Sequence, residues 1–143
     1  MKKLLTLLLL SPIAFADPVN LDCEYYKTLD MDTFKTTKIS SKKSFTIQPS
    51  TKDVITENGS FPYTEKGNLI TWQAFSVVKV GDVYAFANIY TLDRVTGEMK
   101  TEFRDKYNEV GFESPAIFSL LDPKSYELAK IYNAKCKKVE ALF

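Results

Sequence analysis

Apolar and polar residues alternate along much of this chain, and the alternation predicts strands. Residues 21–27, Leu-Asp-Cys-Glu-Tyr-Tyr-Lys, read as a first strand. Residues 28–43 are polar and lysine-rich and read as a long loop or irregular edge. Residues 44–48 form a short strand stopped by Pro49-Ser50, and residues 53–56 form another before the Asn58-Gly59 turn. The longest β-rich runs, 69–80 and 83–92, meet at Gly81-Asp82 and predict a central hairpin. Pairing Val80 with Val83 sets its register. One face then carries Ile70, Trp72, Ala74 and Val78 opposite Ala85, Ala87 and Ile89, and reads as the core. The other carries Phe75, Val77, Tyr84, Phe86 and Tyr90, too aromatic for a plain solvent face.

After the turn Asp93-Arg94-Val95-Thr96-Gly97, residues 98–104 return as a strand. The period then changes. Asp122-Pro123 fits an N-cap followed by Pro at the first helical position, and Leu128, Ile131 and Tyr132 recur at helical spacing. Residues 124–134 therefore predict a short C-terminal helix covering the aromatic face. A final strand carrying Cys136 is the competing reading. The expected fold is mainly β, a β-rich α+β arrangement: a curved antiparallel sheet or small β-barrel with one short C-terminal helix.

The N-terminus follows a different logic. Met1-Lys2-Lys3 precedes an apolar run from Leu4 to Leu10, and Ala14-Phe15-Ala16 supplies a small-x-small cleavage site. This order of charge, apolar core and small residues is that of a secretory signal peptide. The run is short against the ~20 apolar residues that span a bilayer. The expected organisation is a signal peptide over 1–16 and a single β-rich domain over 17–143, exported to the periplasm or the medium. No later segment is apolar enough for a transmembrane helix. Losing Lys2 and Lys3 leaves 17 basic against 18 acidic residues, a net charge of −1 with no basic stripe for nucleic acid.

Export changes the meaning of the cysteines. Cys23 and Cys136 are the only two, and an even pair in an oxidising compartment reads as a disulfide. A loop of that length stabilises by about 4–5 kcal/mol in the chain-entropy model.

The chemistry is bounded by what the chain lacks. It has no His, which removes Ser-His-Asp and Cys-His catalysis and the usual zinc ligand. No phosphate loop, dinucleotide fingerprint or nucleophile elbow is present, so neither cofactor nor metal is assigned. Asp93, Glu98, Glu102 and Asp105 could pair for glycoside hydrolysis or hold Ca²⁺. Arg94, Lys100, Arg104 and Lys106 intersperse them, as on a charge-balanced solvated strand. Asn58-Gly59-Ser60 matches a glycosylation acceptor that its turn chemistry already explains. Trp72, the only Trp, belongs to the core face on this reading.

Residues Leu92-Asp93-Arg94-Val95-Thr96-Gly97, with Cys23 and Cys136, resemble a group of small exported bacterial proteins of unassigned function. These carry an (I/L)-(N/D)-R-x-T-G hairpin and a cysteine near each end. The resemblance implies a small curved antiparallel sheet and no particular activity.

The sequence thus favours a non-enzymatic exported binding or envelope-associated protein. A secreted enzyme inhibitor is the alternative, and an Asp/Glu-dependent hydrolase comes last. The ligand, an unidentified small molecule or protein, is assigned to the aromatic face: Phe75, Tyr84, Phe86 and Tyr90.

Overall fold

Eight strands follow one another along the chain, each antiparallel to the next. They are β1 (Val19–Asp30), β2 (Thr36–Gln48), β3 (Asp53–Thr56), β4 (Gly59–Lys66), β5 (Leu69–Val80), β6 (Asp82–Asp93), β7 (Glu98–Asn108) and β8 (Glu127–Lys138). β8 returns to pair with β1, so the sheet closes into a barrel. The structure, a computed structural model, describes residues 18–80, 82–108 and 126–139, with the backbone alone at 75–80, 82–84 and 106–108. The expected signal peptide, Gly81 at the hairpin tip and the Asp122-Pro123 helix start lie outside the described residues.

The predicted C-terminal helix is corrected. Residues 127–138 are a strand that bonds to β1 on one side and to β7 on the other. Helical spacing of Leu128, Ile131 and Tyr132 coincides with a second pattern, in which Tyr132, Ala134 and Cys136 pack on the interior core. Two open sheet edges outweigh local periodicity, because unpaired edge groups need partners. The polar stretch 28–43 is likewise strand over most of its length. Its side chains are mostly exposed, which is why it lacks an apolar signature.

The central hairpin is present, but its register is one residue away from the expected one. Val80 pairs with Asp82, Phe75 with Ala87 and Trp72 with Tyr90. A one-residue shift turns every β6 side chain to the opposite face. The reason is volume. An eight-stranded barrel has an interior just wide enough to be filled by side chains. Tyr90 and Leu92 fill it beside Trp72 and Ile70, whereas Ala85 and Ala87 could not. The two alanines instead form a separate buried cluster with Tyr126.

Three aromatic rings occupy the centre. Trp72 stacks on Tyr90 with centroids 5.0 Å apart and planes 8° from parallel. Phe45 meets both edge-on at 5.6 Å. Such contacts add about 0.5–1.5 kcal/mol per pair beyond area burial. Leu21, Ile47, Val54, Ile70, Leu92 and Met99 extend this core. Buried Thr101 shares a 3.1 Å hydrogen bond with the Tyr25 hydroxyl, so its polar atom is satisfied.

The β1–β8 seam is locked covalently. Cys23 lies opposite Cys136 in the register, and the two form a disulfide across 113 residues. A bulge at Tyr26 bends β1 as the sheet curls round.

The Asp93–Gly97 turn is explained by local bonds. Asp93 Oδ1 accepts hydrogen bonds from the Val95 and Thr96 N–H groups at 2.8 and 3.2 Å. Thr96 Oγ1 accepts one from the Glu98 N–H. The Arg94 guanidinium reaches the next hairpin, donating to the Gly67 carbonyl and lying 3.7 Å from Glu65. Gly97 has φ 74°, and its carbonyl accepts from the Cys136 N–H at 2.8 Å. A Cβ there would stand 2.5 Å from the Cys136 carbonyl oxygen.

Gly97→Ala should therefore destabilise the protein by about 1–3 kcal/mol, combining left-handed strain with that clash. Chemical denaturation under oxidising conditions measures it. A loss below 0.5 kcal/mol (about the noise of a surface change) would mean that the turn does not depend on glycine.

Candidate functional site

One stretch of the barrel wall is incomplete. β3 has four residues and β4 eight, between β2 and β5 with thirteen and twelve. Thr56 and Gly59 pair at the end of this short hairpin, and Glu57-Asn58 turns between them. β3 therefore pairs with β2 only at 46–48, and β4 with β5 only at 69–72. Residues 36–45 of β2 bond in register to β1 alone, and residues 73–80 of β5 to β6 alone. Among the described residues, two strand edges run past the hairpin tip with no neighbour between them.

The opening is a notch of ≈ 960 Å³. Phe45, Phe61, Phe86 and Tyr90 supply its aromatic lining, and Ala74 and Asn88 lie beside them. Lys42 and Lys43 border it on the β2 side, and Glu57 and Asn58 at the hairpin tip. Lys43 shares the β2 face with Phe45, two residues on. Neither lysine makes an ion pair among the described residues.

Phe45 and Tyr90 link the notch to the barrel centre, since both pack on Trp72. Tyr90 makes no hydrogen bond through its hydroxyl among the described residues. Burial pushes its pKa up to about 12, with a smaller contribution from Tyr25. Burial likewise raises Tyr25 above the ordinary tyrosine value, opposed by its Thr101 hydrogen bond. Both stay neutral at physiological pH and can offer a hydroxyl but no charge. Phe86 contacts Phe103 at 6.1 Å between centroids.

Of the four residues assigned from sequence, Phe86 and Tyr90 meet at the notch. Phe75 pairs with Ala87 and Tyr84 with Val78, and the side chains of both lie outside the described residues. Phe75 and Tyr90 sit at opposite parity in the register, so the single aromatic face expected from sequence is divided between two faces. No helix among the described residues covers that face. Tyr90 is covered by the barrel itself. Phe45, Lys42, Lys43 and Asn88 were not assigned from sequence. Phe45 falls in the stretch read from sequence as a short strand, but nothing local marks the wall beside it as missing.

The carboxylates are dispersed. Asp93 caps its own turn, and Glu102 binds Arg104 at 2.9 Å. Glu98 accepts from the Tyr26 hydroxyl and lies 3.6 Å from Lys135. No cluster of acidic, His or Cys side chains suited to a metal occurs among the described residues. No helix among them is long and apolar enough to cross a membrane, which says nothing about strands.

The tyrosine environment has a measurable consequence. The unfolded chain ionises Tyr90 near pH 10, while the folded chain holds its proton to about pH 12. The stabilisation is complete below pH 10 and is lost as pH rises between those values. Tyr90→Phe should therefore lose less stability than the parent between pH 10 and 12. Denaturation midpoints at pH 8, 10 and 11.5 test this, and parallel losses in both proteins would count against a buried Tyr90 hydroxyl.

Comparison of the chain with protein-family models, with curated proteins and with solved structures returns no match.

Proposed function

We propose that this is an exported, non-catalytic binding protein whose ligand is an extended polypeptide segment of a partner, seated in the notch. One observation carries the reading: two strand edges with no partner among the described residues border the same aromatic-lined opening. Edge N–H and C=O groups are templates for strand addition, the recurrent mode by which sheets take up extended peptides. The strand order leaves room for two strands between β2 and β5, because β3 and β4 occupy that interval further along the barrel. At a strand spacing of about 4.8 Å, a single added strand fits without displacing the wall.

The chemistry of the borders supports an acidic segment. Lys38, Lys42 and Lys43 lie on the open stretch of β2, which has no acidic residue between 36 and 45. Phe61 and Phe86, half-buried, offer rings to side chains of such a strand over a floor made by the buried Phe45 and Tyr90. Export is supported by the N-terminal sequence pattern together with the disulfide. A non-catalytic role is supported by the dispersal of the carboxylates.

Selection from a random twelve-residue peptide display library on the oxidised domain provides the test. Recovered peptides should be rich in Asp, Glu and β-forming residues. Their affinity should fall at least tenfold for Lys42→Glu/Lys43→Glu and for Asn88→Trp, which fills the notch. Peptides indifferent to both variants would overturn the reading. Binders that are compact and apolar would point to a small-molecule site instead.

A further inference from the structure

The Asp93–Gly97 turn does more than join β6 to β7. It forms part of the mouth of a second cavity, of ≈ 200 Å³, at the end of the barrel where Val19, Pro49 and Lys138 lie. The cavity and the notch share no lining residue among the described ones. Its wall is mainly aliphatic, with Leu21, Ile47, Ile70 and Leu92 all buried and the Tyr63 ring beside them. An apolar cavity of about 150 Å³ stays dry and takes up benzene. This one has room for a slightly larger body.

The rim decides the ligand's charge. Among the described residues it carries two cations, Arg94 and Lys138, and two anions, Glu65 and Asp93. Arg94 is engaged with Glu65 and the Gly67 carbonyl, and Asp93 with the N–H groups of its own turn. The sum is neutral, and both turn charges are bound within the protein. A charged ligand would find no net counter-charge and would lose its hydration at an apolar wall.

The rim is also fixed in advance. The disulfide joins Cys136 to β1, the Gly97 carbonyl bonds to the Cys136 N–H, and Arg94 bridges to the β4–β5 turn. A ligand entering a preorganised site meets little ordering cost.

We infer that this cavity is a second binding site, for a neutral, compact apolar molecule the size of one or two fused rings. The inference is independent of the notch and of the polypeptide partner.

Indole is a suitable probe, being neutral, bicyclic and soluble, with naphthalene-1-sulfonate as an anion of similar size. The oxidised domain, labelled at its Ile, Leu and Val methyls, is titrated with each and followed by NMR. Saturable shifts are expected at Leu21, Ile47, Ile70 and Leu92, with the anion at least tenfold weaker. Val19→Trp places bulk at the mouth and should weaken indole at least tenfold. Pro49→Trp serves the same purpose if that variant fails to fold. Three results would overturn the inference: no saturable shift at those methyls up to the solubility limit, equal or tighter binding of the anion, or undiminished affinity in the folded mouth variant.

Discussion

The stacking of Trp72 on Tyr90 is the constraint from which the rest of this barrel follows. The two rings lie directly opposite each other on neighbouring strands, nearly parallel. That pairing fixes the register of the central hairpin. The register in turn decides which side chains of β6 enter the interior and which meet Tyr126 outside. Phe45 completes the cluster from β2, across the short β3–β4 hairpin. A ring on each side of the incomplete wall therefore holds that wall in place. The cluster does this without satisfying every polar atom: the buried Trp72 Nε1 has no hydrogen-bond partner among the described residues. Leaving a donor unpaired costs about 1–3 kcal/mol. Packing of the largest side chain in the core offsets that cost.

The two cavities stand in opposite mechanical settings. Around the smaller one, covalent and hydrogen-bonded ties converge from β1, β4–β5, β6–β7 and β8. Around the notch, two strand edges continue past a four-residue turn without neighbours among the described residues. A rigid aliphatic end and an open, lysine-bordered side suit different ligands. The barrel keeps them apart with one aromatic cluster.

Much of this was legible in the sequence. The β5–β6 runs, the turn from Asp93 to Gly97, the disulfide and the burial of Trp72 all followed from local chemistry. What failed did so for a non-local reason. Placing Val80 opposite Val83 satisfied a two-residue turn and set Thr91 opposite Trp72, but the volume of the interior favoured Tyr90 there. Leu128, Ile131 and Tyr132 fitted a helix until β1 and β7 were recognised as edges in need of a partner. Lys38 to Lys43 looked like loop because neither face of that stretch carries an apolar stripe. The notch was illegible because it is a difference in length between strands, and no residue encodes a length difference by itself.

The strand order also carries a history. Seven of the eight pairings join neighbours in the sequence and can form as local hairpins, whereas β1 with β8 joins the two ends. Loop closure over 113 residues is entropically the most demanding step. In a chain made from its N-terminus β1 emerges first and β8 last of the eight strands, so the seam waits for β8. The cysteines sit on that seam, opposite each other only once it has closed. Their oxidation is thus a chemical record of completed topology: a chain trapped with an open sheet keeps its thiols, and any oxidant in its compartment can tell the two apart.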